Sequence, residues 1–127
     1  MDQIAKKEPG QDPRMIIRRR RVPRRDFFNR IGLLVRGAYH VSRAVQIGEG
    51  GMMINSKTPL AMGQKVVVSF KLPGLPPDVV LACVRYVLPA ENGQADRYGV
   101  EFLNLDFNIK REVRNYVAQT GRNSSTQ

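Results

Sequence analysis

The chain has little of the material from which most catalytic sites are built. Its 127 residues include one histidine (His40), one cysteine (Cys83) and no tryptophan. A zinc site draws three or four ligands from Cys, His and carboxylates, and a Cys–His nucleophile needs a positioned base. The 11 acidic residues are scattered, and no pair is visibly placed for acid–base work. We therefore expect no enzyme activity and no metal or other cofactor, with His40 structural or exposed.

Disulfides, membrane spans and secretory leaders also lack support in the sequence. A single cysteine cannot form an internal disulfide, and Cys83, inside an apolar stretch, is expected to be a small buried residue. No run of residues is long and apolar enough to cross a bilayer. The first 13 residues contain no apolar core of a signal peptide. These features predict a cytoplasmic protein with no membrane span.

Positive charge is abundant, but it is concentrated near the N-terminus. The formal charge is +10, and seven arginines with no acidic residue lie between Arg14 and Arg25, so the other 115 residues carry only +3 (10 − 7). Such a segment calls for an anionic partner. Like charges repel, and Pro23 disfavours a helix through Val22. We predict a flexible tail over residues 1–13 and an arginine-rich ligand-binding arm over residues 14–31, which becomes ordered over the barrel when an anion binds.

From Gly32 onward, apolar residues recur with the two-residue period of β-strands. The clearest strand covers residues 66–72, and one strand is expected to continue through Gly37 toward Val41. Another is expected to place Val45 and Ile47 on one face. Turn signals such as Pro73-Gly74 and Asn92-Gly93 separate six such segments. The pattern predicts an all-β domain, either an antiparallel barrel or a sandwich, while residues 26–31 fit a helical turn or a strand equally well.

The period changes near the C-terminus to that of a helix. Apolar residues spaced for one helical face are Ile109, Val113, Tyr116 and Val117. Asp106 is expected to cap the start and Gly121 to stop the helix. We therefore assign residues 32–120 to a barrel with a C-terminal helix and residues 121–127 to a disordered tail.

Two features are suited to an anion. Arg20 and Arg24 are separated by three residues, with Arg19, Arg21 and Arg25 beside them. A guanidinium binds phosphate oxygens in a fork and stacks its flat face on a base. Taken alone, the run is equally consistent with a solvated charge cluster or a nonspecific polyanion-binding arm.

The second feature is the glycine-rich turn within residues 46–54. Gly48, Gly50 and Gly51 lie between two apolar strand segments. Glycines permit positive φ and close backbone approach, so exposed N–H groups can face an anion. Taken alone, such a turn is more often an ordinary β-turn without a ligand.

In this order along the chain, the motifs resemble the PilZ domains, bacterial receptors for the second messenger cyclic di-GMP. The family's R-x-x-x-R motif falls on Arg20–Arg24, and its Asp/Asn-x-Ser-x-x-Gly motif falls on Gln46–Gly51. The segments GMMINSKTPLAMGQKVVVSFKLP and RYGVEFLNLD resemble later barrel strands of the family. The resemblance covers about residues 18–120 and implies a six-stranded antiparallel PilZ-type β-barrel with a C-terminal helix.

The resemblance also implies a ligand and a set of binding residues. These are Arg19, Arg20, Arg21, Arg24, Arg25, Gln46, Gly48 and Gly51. Gln46 stands where the family prefers Asp or Asn, and Gly48 where it prefers Ser, so one hydroxyl contact is lost. A hydrogen bond to a charged group is worth about 1.5–3 kcal/mol, which predicts weakened rather than abolished binding.

The function implied by the resemblance is to sense cyclic di-GMP and signal to an unidentified protein partner in motility, secretion or polysaccharide synthesis. One alternative is a degenerate PilZ adaptor that no longer binds the nucleotide and acts by protein–protein interaction. Another is a nonspecific nucleic-acid-binding protein. Most of the aromatic residues occupy core-like positions instead of forming a stacking platform, so we expect no specific nucleic-acid partner.

Overall fold

The fold is a closed barrel of six antiparallel strands followed by one helix. A computed structural model describes residues 23–91 and 93–126, with side-chain environments up to residue 119. The strands, in chain order, are β1 (Arg24–Val35), β2 (Ala38–Gly48), β3 (Gly51–Ser56), β4 (Lys65–Phe70), β5 (Asp78–Leu88) and β6 (Asp96–Leu103), and the helix is α1 (Phe107–Thr126). The barrel closes in the order β1-β2-β3-β6-β5-β4. The prediction of a six-stranded antiparallel barrel with a C-terminal helix is confirmed.

Alternating side chains fill the barrel. In β4, Val66, Val68 and Phe70 are each no more than 2% exposed, whereas the residues between them face outward. Burying an aliphatic or aromatic side chain of this size contributes about 1.5–3 kcal/mol, so the alternation fixes which face of each strand points inward. Cys83 is also buried, as the sequence predicts.

Strand β1 begins at Arg24, whereas the sequence places the start of the barrel at residue 32. The ambiguous segment 26–31 is strand, with a bulge between Asp26 and Asn29. The bulge turns Phe27 inward, where its ring meets the rings of Phe70 and Tyr116 edge-on, and leaves Phe28 exposed. Backbone pairing with β2 and burial of Phe27 explain why a strand forms despite the adjacent charges.

The predicted tail over residues 1–13 lies outside the described residues, and so does the predicted arm up to residue 22.

The first hairpin corrects one prediction. The continuous strand expected through Gly37 is wrong, because Arg36 and Gly37 form the turn between β1 and β2, with φ of 49° and 80°. Two-residue hairpin turns of this type need positive φ at both positions. Glycine adopts such a φ at no steric cost, but arginine is not a residue that signals it.

A second bulge lies in β2, between Ala44 and Gln46. It shifts the alternation by one residue, so that Ala44 and Ile47 are both buried while Val45 is only half-buried. The expected pairing of Val45 with Ile47 on one face is therefore wrong. The shift matters because it sets the direction of the next residues, Gln46 and Gly48.

Helix α1 is capped and packed as predicted at its start. The Asn108 N–H donates to the Asp106 carboxylate at 3.0 Å, and Val113 and Val117 are buried against the barrel. Gly121, which was expected to stop the helix, lies inside it, since α1 extends to Thr126. One internal glycine costs about 1 kcal/mol relative to alanine, which does not by itself end a helix.

Candidate functional site

The register between β1 and β2 brings the two predicted features together. Arg24 is paired with Gly48, Arg25 with Ile47, and Asp26 with Gln46. Directly opposed residues of antiparallel strands lie about 4.5–5.5 Å apart at their Cα atoms. The second arginine of the R-x-x-x-R motif therefore lies directly beside the glycine-rich turn.

A side-chain contact accompanies this pairing. Arg24 Nη1 donates to Gln46 Oε1 at 3.4 Å on the outer surface of the barrel. A guanidinium carries five N–H donors, so this contact uses one of them and leaves the planar group beside the turn. The bond is long and exposed, and it contributes orientation more than stability.

Gly48 is required by close approach of the chain to itself. A Cβ at this position would lie 2.8 Å from the Pro23 carbonyl oxygen and 3.4 Å from Arg24 Cγ. Its φ is not in the positive region, so an unusual backbone conformation does not explain the glycine. The position where the family prefers serine is therefore covered by the backbone that precedes β1.

The other two glycines of the turn have different surroundings. A Cβ at Gly51 would overlap the Val100 carbonyl oxygen of β6, so this glycine permits β3 and β6 to approach closely. A Cβ at Gly50 would meet nothing within 4 Å. The Gly50 carbonyl oxygen accepts a hydrogen bond from the Phe102 N–H at 2.9 Å, which anchors the turn to β6.

Arg25 faces away from Arg24, because successive strand residues point to opposite sides. Its Nη1 donates to the Tyr116 carbonyl oxygen at 2.9 Å, and its guanidinium carbon lies 3.9 Å from the centre of the Tyr116 ring. A hydrogen bond and a cation–π contact thus join β1 to helix α1. The structure does not bring Arg25 to the face that holds Arg24 and Gln46.

An ion pair that the sequence did not indicate joins the turn to the helix. Arg114 of α1 donates from Nε and Nη2 to both carboxylate oxygens of Glu49, at 2.9 and 3.1 Å. These hydrogen bonds lower the pKa of Glu49, against the opposing effect of its partial desolvation. The pairing places a cation beside the only acidic residue of the turn and holds the turn against α1.

The remaining predicted site residues, Arg19, Arg20 and Arg21, lie outside the described residues. Across residues 23–91 and 93–126, no group of three or more His, Cys, Asp or Glu side chains is placed to hold a metal ion. His40 Nδ1 lies 3.2 Å from the Thr58 hydroxyl, a contact that ties β2 to the loop after β3.

A comparison with protein families matches the PilZ domain over residues 18–119. The chain belongs to the PilZ family. Its R-x-x-x-R and turn motifs both lie inside the matched range. No curated protein sequence matches this PilZ domain significantly.

Solved structures share the fold at low sequence identity. The Bacillus subtilis inhibitor of motility MotI/DgrA superposes with a TM-score of 0.72 at 13% identity, covering 80% of this chain and 51% of that one. The PilZ domain of Escherichia coli YcgR, solved with c-di-GMP, has a TM-score of 0.67 at 15% identity, covering 84% and 94%. MrkH of K. pneumonia, solved as a c-di-GMP complex, has a TM-score of 0.66 at 14% identity, covering 84% and 54%.

This PilZ domain corresponds to only part of some of those chains. It spans about half of the MotI/DgrA and MrkH chains, but almost the whole isolated YcgR domain. In the part of the chain that the structure describes, no helix combines the length and apolarity needed to cross a bilayer.

Proposed function

We propose that this PilZ domain is a receptor for cyclic di-GMP. The observation that carries the proposal is the pairing of Arg24 with Gly48, which puts a motif arginine beside the motif turn. Arg20 and Arg24 bind phosphate and guanine, and Gln46, Gly48 and Gly51 form the opposing surface. The YcgR PilZ domain and MrkH, which share the fold and were solved with c-di-GMP, support this choice of ligand.

The chemistry of the ligand suits these groups. Two phosphates carry the negative charge, and guanidinium forks bind phosphate oxygens with charge-assisted hydrogen bonds. Two guanines present flat faces on which the same guanidinium groups stack. Arg19 and Arg21 add positive charge beside Arg20 and Arg24. Arg25, which donates to the Tyr116 carbonyl oxygen on the other side of the strand, contributes only its charge at longer range.

The departures from the family motif lower the expected affinity. Gly48 offers no hydroxyl, and the Pro23 backbone occupies the space that a side chain there would enter. Losing one hydrogen bond to a charged group corresponds to about ten- to a hundredfold in affinity. The protein partner, in motility, secretion or polysaccharide synthesis, then responds to a receptor of reduced affinity.

Calorimetry of the full chain with cyclic di-GMP tests the proposal. Arg20→Ala and Arg24→Ala are each expected to cost more than about 2 kcal/mol of binding free energy. Arg36→Ala removes the same charge at the far end of β1 and is expected to cost far less. Equal losses in all three variants would show that the arginines act only as diffuse charge, which contradicts a specific site.

A second candidate function is an adaptor that does not bind the nucleotide. The crowding of Gly48 by the Pro23 carbonyl oxygen favours it, because the family's serine position is closed. The absence of measurable heat with cyclic di-GMP, in a protein that melts cooperatively, would select this adaptor. Binding of GMP or single-stranded RNA as tight as that of cyclic di-GMP would instead favour nonspecific polyanion binding.

A further inference from the structure

The outer wall of the barrel carries an apolar surface that the ligand site does not use. Five exposed or half-exposed apolar side chains lie on strands β1, β2 and β5, and we call them the wall patch: Leu34, Tyr39, Val41, Val79 and Leu81. Tyr39, Val41 and Val79 are each more than 60% exposed. Large apolar side chains at such exposure on one face of a soluble domain mark an interaction surface.

The strand register shows that the wall patch is contiguous. Leu34 is paired with Tyr39 on one side and with Val67 on the other, and Val67 is paired with Leu81. The next row joins Val41, Gly32, Ser69 and Val79 in the same way. Four strands at 4.7–4.9 Å spacing make this surface about 14 Å wide between its outer strands.

The ring of Tyr39 covers the position where Gly32 contributes no side chain to the wall patch. Its ring lies over Gly32, where any Cβ would collide with the ring atoms. The tyrosine ring therefore covers β1 at Gly32 and occupies the place of the side chain that this row lacks. A contiguous surface of this kind, apolar apart from Ser69, complements the side chains of a partner better than isolated exposed residues do.

Cations lie at both ends of the wall patch. Arg30 and Arg43 are paired with each other and form the next row beyond Val41, and both are exposed. At the other end lie Arg36 in the hairpin turn and Lys65, whose row adjoins that of Leu81. Like charges placed directly opposite on neighbouring strands are destabilising, so the Arg30–Arg43 pair is maintained at a cost to the isolated domain.

One carboxylate beside this wall is already paired with a cation. Glu101 of β6, across from Cys83, accepts a hydrogen bond from Arg85 Nε at 2.6 Å. Within the described residues, none of Arg30, Arg36 and Arg43 takes part in an ion pair. Among the described residues, the wall therefore presents apolar side chains between positive charges that no carboxylate pairs with.

We propose that the wall patch docks an acidic protein segment whose apolar side chains cover Tyr39, Val41 and Val79 while its carboxylates pair with Arg30 and Arg43. A second copy of this chain would set arginine against arginine, because a two-fold interface brings like surfaces together. Nucleic acid would gain little from aliphatic side chains, since it stacks on aromatic rings. A closed barrel has no free strand edge, so the segment binds through side chains.

The wall patch is separate from the ligand site. Val41 and Gly48 are seven residues apart on β2, which corresponds to about 23 Å at the rise of a strand. Both sites lie on β1 and β2. Because they are this far apart along the strands, one partner and one nucleotide can be bound at the same time. The inference rests on the proposed function only in naming the partner class of the receptor.

The test begins with a displayed library of random peptides of about 12 residues, which in extended form are long enough to cross all four strands. The full chain without nucleotide is expected to enrich peptides that combine Asp or Glu with Leu, Ile, Val or Phe. The best synthetic peptide is then expected to shift the amide resonances of Tyr39, Val41, Val79 and Leu81, and not those of Arg24 or Gly48.

Variants then locate the contact. Val41→Glu, Val79→Glu and Arg43→Glu are each expected to weaken peptide binding by at least about tenfold. The binding that remains in the Arg43→Glu variant should depend less on salt than that of the wild type. Met62→Glu is the matched control, because Met62 is as exposed as Val79 but lies in the loop after β3, and it should change binding less than about twofold. Unchanged circular dichroism and melting curves show that each variant is folded.

Several results would overturn the proposal. The proposal is contradicted if the library yields no enriched peptide or only basic peptides, or if Val41→Glu binds the peptide as tightly as the wild type does. It is also contradicted by binding to anionic phosphatidylglycerol vesicles that Val41→Glu abolishes, or by a concentration-dependent dimer that the same variant dissociates. Calorimetry of Val41→Glu with cyclic di-GMP separates this inference from the proposed function. A variant that loses the peptide but keeps the nucleotide supports the wall patch, and a wild type that binds peptide but no nucleotide refutes only the receptor.

Discussion

Substituting serine for Gly48 restores the residue type that the family prefers, and we expect it not to strengthen ligand binding. A hydroxyl that reached the ligand would contribute about 1.5–3 kcal/mol. The added Cβ, however, would lie 2.8 Å from the Pro23 carbonyl oxygen, so the backbone before β1 must move. Forcing extra atoms into a packed position typically costs about 1–3 kcal/mol. The two effects are similar in size, and the chain that moves is the one that carries Arg24.

Two measurements on the same variant separate these effects. We expect Gly48→Ser to lower the melting temperature by roughly 3–12 °C, the equivalent of 1–3 kcal/mol in a domain of this size. Calorimetry should show affinity for cyclic di-GMP unchanged or reduced. Gly50→Ser is the control, because a Cβ there meets nothing within 4 Å, and it should leave the melting temperature nearly unaffected.

The reasoning would be refuted by one clear result. If Gly48→Ser tightened binding by more than about tenfold without a change in melting temperature, the Pro23 backbone would not be held against β2. The close approach seen at Gly48 would then have no energetic consequence. The lower affinity expected for this receptor would be due to the missing hydroxyl alone.

Two further predictions concern the contacts of helix α1. Arg25→Ala should destabilise the domain by about 1–3 kcal/mol, because it removes the hydrogen bond and the cation–π contact to Tyr116. Arg24→Ala, at an exposed site, should change the melting temperature little. Equal effects of the two variants would contradict the role of Arg25 in joining β1 to α1. Asp78 Oδ2 and Glu112 Oε1 are both buried and have no other hydrogen-bond partner among the described residues. A proton shared between these two carboxyls, together with desolvation, raises the pKa of Glu112 above its ordinary value. Because the folded state binds this proton more tightly, the stabilisation it provides is present at low pH and lost as pH rises through the raised pKa. Glu112→Gln should therefore raise the melting temperature at pH 7 and make it depend less on pH, and Glu91→Gln is the control. A melting temperature of Glu112→Gln below that of the wild type at pH 7 would refute the shared proton.

Local patterns were sufficient to predict the strands and the helix because they match the physics of each element, whereas the choice of a barrel over a sandwich came from the resemblance to the PilZ family. The alternation of Val66, Val68 and Phe70 is the period of a half-buried strand, and Asp106 is a standard helix cap. The hairpin turn at Arg36–Gly37 escaped prediction because arginine is not a residue that favours positive φ. The bulge in β2 escaped because nothing in the sequence distinguishes Val45 from a regular strand residue.

The candidate site was predictable only where its residues are close in sequence. The turn and the arginine run were both recognisable, but they meet through contacts such as that of Arg24 with Gln46, which are 22 residues apart in sequence. The opposite directions of Arg24 and Arg25 follow from strand geometry, which requires knowing that β1 begins at Arg24 rather than at residue 32. The Glu49–Arg114 ion pair spans 65 residues and leaves no local signal.

The pairing of β1 with β2 also determines where the chain tolerates a change of length. One residue inserted between Arg25 and Phe27 would turn both arginines over relative to the barrel if Phe27 kept its buried place. Arg24 would then point toward helix α1, and Arg25 would occupy the outer surface beside Gln46. A deletion there would have the same effect. Two inserted residues would restore the directions but move both arginines about 7 Å along the strand, away from Gly48. In homologues or engineered forms of this domain, the spacing from the second motif arginine to the buried phenylalanine should therefore be invariant, while loops such as the one between β5 and β6 can vary freely in length.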